Sequence, residues 1–257
     1  MLTTIPLLTF LMLGTLYPLC FWIIHRRSIE LGFQQFNLGM ANVFGGLGAG
    51  ILYFMNVPVS VKNLLFVWMG FFLVVSAICW KKKILNTWTI TIPCFFGIFA
   101  FSQVFGIFVP DYKMLIPIII LGGLVLSLSL FTMILGHWYL NVHGLPIKYL
   151  VDATKVFWAV LILRFLWNAY ILLTEKILYG GDLIALYRFM FHLEGFLLFV
   201  AVFFGTLLPM GLMYLVLETL KVKSTQSATG LLYIIVVAVL MGDLSYKYYL
   251  LRYGLAL

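Results

Sequence analysis

Residues 114–140 read "MLIPIIILGGLVLSLSLFTMILGHWYL", a stretch without one Asp, Glu, Lys or Arg. About 20 apolar residues already carry a helix across the hydrocarbon core of a bilayer. This segment therefore reads as a membrane span. Working outward from it, further apolar runs occupy residues 3–24, 36–55, 61–80, 88–109, 147–173, 183–220 and 227–250. Polar residues or Gly/Pro breaks separate them. Composition agrees: 64% of the 257 residues are hydrophobic and 9% charged, with mean hydropathy +1.13. Soluble domains carry about 25% charged residues. The expected fold is all-α, a polytopic transmembrane helix bundle of about eight spans forming one domain over residues 1–257. The run at 183–220 is too long to cross upright, so it is expected to tilt, protrude, or bend at Pro209, which lacks a backbone N–H.

Loop charge sets the orientation. Arg26, Arg27, Lys81, Lys82, Lys83, Lys148, Lys221 and Lys223 fall in alternate loops and hence on one face. The other loops carry Lys62, Lys113 and Lys176, the last two beside Asp111, Glu175 and Asp182. The positive-inside rule then puts both termini outside. In a bacterial cytoplasmic (inner) membrane, outside is the periplasm. The net charge of +8 belongs to these loops rather than to a nucleic-acid surface.

Several chemistries are excluded by what the sequence lacks. Cys20, Cys79 and Cys94 lie in apolar runs and form no C-x-x-C, so zinc ribbons, thioredoxin chemistry and attached c-type haem have no support. There is no H-E-x-x-H zinc site and no G-x-S-x-G elbow. "FGGLGAG", residues 44–50, has no following Lys-Ser/Thr and sits within a span, where small residues admit a neighbouring helix. "KSTQSATGLLY", residues 223–233, offers capping residues for the last helix. Any chemistry must arise within the helices or at their ends.

Ionisable groups at membrane depth are costly, and usually face a bundle interior, pair, or line a pathway. Arg164 stands about 25 Å up the sixth span, at 1.5 Å per residue, and Asp243 stands at a similar height on the eighth. Arg188, His192 and Glu194 come early in the seventh, with Tyr187, Tyr246 and Asn168 near the same level. All are expected in the outer part of the membrane. On a helix Arg188 and His192 share a face, whereas Glu194 aligns with Tyr187. The Arg188/His192 face is the one favoured to meet Arg164 and Asp243. Against a functional pocket stands a packing cluster, with Asp243 paired to Arg164 or to Lys247 one turn above.

The other three histidines fall on the inner side. His25 and His143 are expected at the membrane surface, hydrogen-bonded to backbone or headgroups. His137, between Gly136 and Trp138, serves either packing or function. If a b-type haem is bound, its axial ligands by height are His137 and His25.

Eight spans, almost no loops and an outer acid, histidine and tyrosine cluster suit a hydrophobic, proton-coupled substrate such as quinol, with Tyr187 and Tyr246 lining the site. In this architecture the chain resembles the eight-helix membrane anchors of polysulfide-reductase-type and DMSO-reductase-type oxidoreductases. The resemblance covers the whole chain but matches no motif residue by residue. It implies quinone held near the outer face, electrons exchanged with partner subunits carrying iron–sulfur or haem centres, and contact with lipid. "GHWYL" and "TQSATGLLY" read as signatures of a narrower group. Two other classes stay open: a proton- or ion-coupled transporter, and a structural subunit of a larger complex.

Overall fold

The computed structural model describes residues 1–24, 29–82, 86–109, 112–142 and 144–257. Helix α1 (Thr4–Leu16) continues as a 3-10 helix over Tyr17–Ile24, where Pro18 lacks the N–H that an α-helical ladder needs. Next come α2 (Leu31–Phe54), α3 (Val59–Cys79), α4 (Thr87–Phe108), α5 (Ile116–Asn141) and α6 (Lys148–Thr174). A β-hairpin follows, β1 (Lys176–Tyr179) with β2 (Asp182–Ala185), then the short helix α7 (Leu186–Phe189) and a 3-10 turn, Leu193–Gly195. The last two rods are α8 (Phe196–Val202), joined through a π turn, Phe203–Leu207, to α9 (Leu208–Lys221), and α10 (Thr225–Tyr253).

Among the described residues, seven helices are long and apolar enough to cross a membrane. The eighth expected span, residues 36–55, is helical within α2 but does not join them. Its 24 residues include Gln34, Gln35, Asn37, Asn42 and a run of glycines. The bundle accommodates that polarity. Tyr17 hydroxyl donates to Asn37 Oδ1, and Asn42 Nδ2 donates to Ser76 Oγ at 2.9 Å. "FGGLGAG" packs as expected at two of its glycines: a Cβ on Gly14 would lie 2.7 Å from Gly45 Cα, and one on Gly48 would lie 2.5 Å from Leu11. Gly46 and Gly50 face open space.

The run expected at 183–220 is corrected most. Residues 183–192 are no part of the crossing helix: they are the end of β2, the four-residue α7 and a turn. Gly180 and Gly181, at φ +63° and +95°, make a two-residue turn that pairs Tyr179 with Asp182 and Leu178 with Leu183, and such positive φ values are what a tight hairpin requires. The crossing helix starts only at Leu193 and runs to Lys221. Pro209 stands just after the π turn, where its missing N–H costs the ladder nothing extra. Ser224, expected to cap α10, makes no side-chain cap and donates instead to Ser227 Oγ at 2.9 Å.

Helices α1, α5 and α10 form the centre, with α1 the most covered span and α6 the least. Leu7 and Leu8 share a core with Leu250, and Tyr249 hydroxyl donates to the Glu194 carbonyl at 2.8 Å. One end of the bundle thus gathers the start of α1, the end of α10 and the 176–195 segment. After α10, Gly254 adopts φ +69° and turns the chain back, so that Trp167 Nε1 donates to the Ala256 carbonyl at 2.8 Å and Leu257 is buried.

Candidate functional site

A charged, fully covered cluster lies in that end of the bundle. Helix α10 contributes Asp243, Tyr246 and Lys247 at positions i, i+3 and i+4, which share one face. Lys247 Nζ donates to Asp243 Oδ2, an ion pair whose side chains are both almost wholly covered. The Thr9 hydroxyl of α1 is 3.3 Å from the same oxygen and 3.1 Å from the Ile5 carbonyl of its own helix, so its one proton is shared between them. Helix α6 contributes Arg164, 4% exposed, and Asn168 one turn later. Among the described residues the Arg164 guanidinium pairs with no carboxylate. Its Nη1 donates to the Ile118 carbonyl of α5 at 3.0 Å, and its Cζ sits 4.5 Å from the Tyr246 ring centroid.

A neutral network adjoins the charges. Tyr246 hydroxyl accepts from Asn168 Nδ2 at 2.6 Å and shares a 2.9 Å hydrogen bond with Thr206 Oγ1, which also accepts from Asn168 Nδ2 at 2.8 Å. Asn168 Oδ1 is buried without a hydrogen-bond partner. Thr206 reaches this network from the π turn, where Gly205 meets Gly242 at backbone contact: a Cβ on Gly242 would lie 2.1 Å from Gly205 Cα. Only glycine at both positions lets the two helices close here.

Two small cavities touch the cluster. One, of about 30 Å³, is bounded by Gly122, Arg164, Asp243, Tyr246 and Lys247, with Ala256 and Leu257 from the returning chain end. The other, of about 10 Å³, lies between Gly122, Arg164, Gly205 and Asp243. A water needs roughly 10–15 Å³ on this measure. The larger cavity has room for about two waters or one small ion, and the smaller for about one water.

Of the residues expected to meet, Arg164, Asp243 and Tyr246 do. Arg188, His192, Glu194 and Tyr187 do not, because the 186–195 segment is a short helix and a turn, so the i, i+4 phase expected of it does not exist. Arg188 donates from Nε to Tyr187 hydroxyl at 3.2 Å, and both are exposed. The Glu194 side chain is exposed as well. His192 instead lies in an open groove of about 470 Å³ with Met190, Phe191, Leu193, Phe196 and Phe199. Its ring centroid is 4.9 Å from that of Tyr179 on the hairpin. Lys247, weighed only as a packing partner, is integral to the cluster, whereas Thr9 and Thr206 carry no sequence signal of their role.

At the opposite end, His137 is exposed on α5 and its Nδ1 is 2.9 Å from Tyr233 hydroxyl of α10. Gly136 beside it makes room for Thr229 of that neighbouring helix: a Cβ there would lie 2.9 Å from Thr229 Oγ1. His25 and His143 lie outside the described residues. Among the described residues no three His, Cys, Asp or Glu side chains gather as a metal-binding set; an axial haem pair needs only two, and the second of the expected pair is His25. No protein-family model matches the chain, and no curated protein or solved structure is significantly similar to it.

Proposed function

We propose that the chain is the membrane subunit of a quinone-linked electron-transfer complex. It crosses a bacterial cytoplasmic membrane eight times, α2 included, with both termini outside, and takes quinol in the His192 groove. The observation that supports this reading best is the groove itself. Its volume of about 470 Å³ falls within the roughly 300–1,000 Å³ of ligand sites. Phe191, Phe196 and Phe199 offer flat apolar faces to a ring, and the His192 imidazole can hydrogen-bond a ring oxygen and exchange its proton. In this reading the open mouth faces lipid, where an isoprenoid tail would lie.

The buried cluster has a separate part in this reading. It is too small for a quinol headgroup, which moves the expected pocket away from Arg164 and Asp243. Asp243, Lys247 and Tyr246 can instead pass protons through water-sized spaces. Electrons go to partner subunits carrying iron–sulfur or haem centres, and haem within the chain itself would use His137.

The test is isolation of the native complex with its lipids. Quinone extracted with the wild type, and lost from His192→Ala while the subunits stay together, supports the groove. Full retention by His192→Ala puts the quinone elsewhere. A wild type that purifies alone, without quinone or redox subunits, favours the second reading, a proton- or ion-coupled transporter. That alternative draws on the same water-sized cavities around Asp243 and Lys247.

A further inference from the structure

The buried charges do not balance. Lys247 and Asp243 pair one positive with one negative charge. Arg164 is left over, and a guanidinium is not deprotonated in proteins. Asp243 is the sole buried acidic side chain among the described residues. A carbonyl hydrogen bond and the Tyr246 ring face stabilise Arg164, but these offset only part of what it costs to take a cation out of water. Charges at membrane depth pair with one another or with backbone carbonyls; among the described residues Arg164 has the carbonyl but no acid of its own.

The space beside Arg164 fits one. The cavity of about 30 Å³ is bounded by both cations and by Gly122, where a Cβ would stand 3.3 Å from Arg164 Nη1. We propose that this cavity binds a small monovalent anion of halide size, held between the Arg164 guanidinium and the Lys247 ammonium. The volume favours a single small ion over bulky organic anions such as gluconate. An anion here completes the charge balance and ties α6 to α10, and this holds whether or not the chain uses quinol.

The experiment follows thermal unfolding of the purified chain in uncharged detergent, titrating chloride or bromide against gluconate at constant ionic strength. The wild type is expected to gain stability saturably with either halide and not with gluconate. Lys247→Met removes the surplus charge and should abolish the halide effect. Asp243→Asn doubles the surplus and should tighten the apparent halide affinity about tenfold or more, as a changed charge at this spacing does in an interior. Gly122→Ala, which narrows the space without touching a charge, should weaken it. A wild type indifferent to halide overturns the proposal, and so does a halide effect that is the same in every variant. Should Lys247→Met fail to fold, the wild-type titration and Gly122→Ala still decide.

Discussion

Asn168 of α6 and Tyr246 of α10 are joined by a 2.6 Å hydrogen bond, 78 residues apart in sequence, and Thr206 closes the triangle from a third helix. Tyr246 stands on two sides of the site at once. Its hydroxyl serves the neutral triangle while its ring face meets the Arg164 guanidinium. Replacing Tyr246 by Phe keeps the ring and removes the hydroxyl. The amide and hydroxyl left behind lose a buried partner, at a cost of about 1–3 kcal/mol. Thermal unfolding in detergent should register that loss. Tyr246→Leu, which also removes the ring from Arg164, should cost more; equal losses would show that the ring contact contributes nothing.

Gly242 allows no side chain. With a Cβ 2.1 Å from Gly205 Cα, Gly242→Ala must push α10 away from the π turn. Overpacking of a closed core typically costs about 1–3 kcal/mol, and contact with backbone rather than a movable side chain puts this case at the upper end. Folded yield and unfolding temperature should both fall. Gly46→Ala, at a position with nothing within 4 Å, is the matched control and should change neither.

The orientation can be read chemically. Cysteine at Lys82 or Lys223 should resist an impermeant thiol reagent added to intact cells, whereas cysteine at Asp182, in the hairpin, should react. Labelling of the first two from outside would invert the proposed topology.

His137 bears on haem. An oxidised-minus-reduced visible spectrum of the purified protein should show a b-type signal if His137 is an axial ligand, and His137→Ala should abolish it. Tyr233→Phe, removing the hydroxyl 2.9 Å from His137 Nδ1, should shift that signal without abolishing it. A wild type without a Soret band leaves the His137–Tyr233 contact as a link between α5 and α10.

Sequence alone went far in some places and stopped for physical reasons in others. Apolar runs located the crossing helices because the bilayer fixes their length. Height along α6 and α10 brought Arg164 to the level of Asp243 and Tyr246, since both helices are regular from end to end. The same arithmetic failed for Arg188 and His192, because it assumed one continuous helix where α7 ends at Phe189 and the chain turns before Leu193. Thr9 and Thr206 were invisible for another reason: a hydroxyl in a span usually satisfies itself on its own helix, as Thr15 does on the Leu11 carbonyl at 2.8 Å. Nothing local marks the few that reach across.

The π turn at Phe203–Leu207 carries one residue more than an α-helical turn would. One residue is about 100° of rotation, so the rod from Leu193 to Lys221 works as two screws of different phase on a common axis. Its first portion aims by one clock and its second by another, with Thr206, which accepts from Asn168, at the join. Deleting Phe203 or Leu207, neither of which belongs to the site, would bring the two back into step. The span would keep its length and its hydrophobicity, yet every side chain on one side of the cut would be re-aimed by about 100°, scattering the site without touching a residue that forms it.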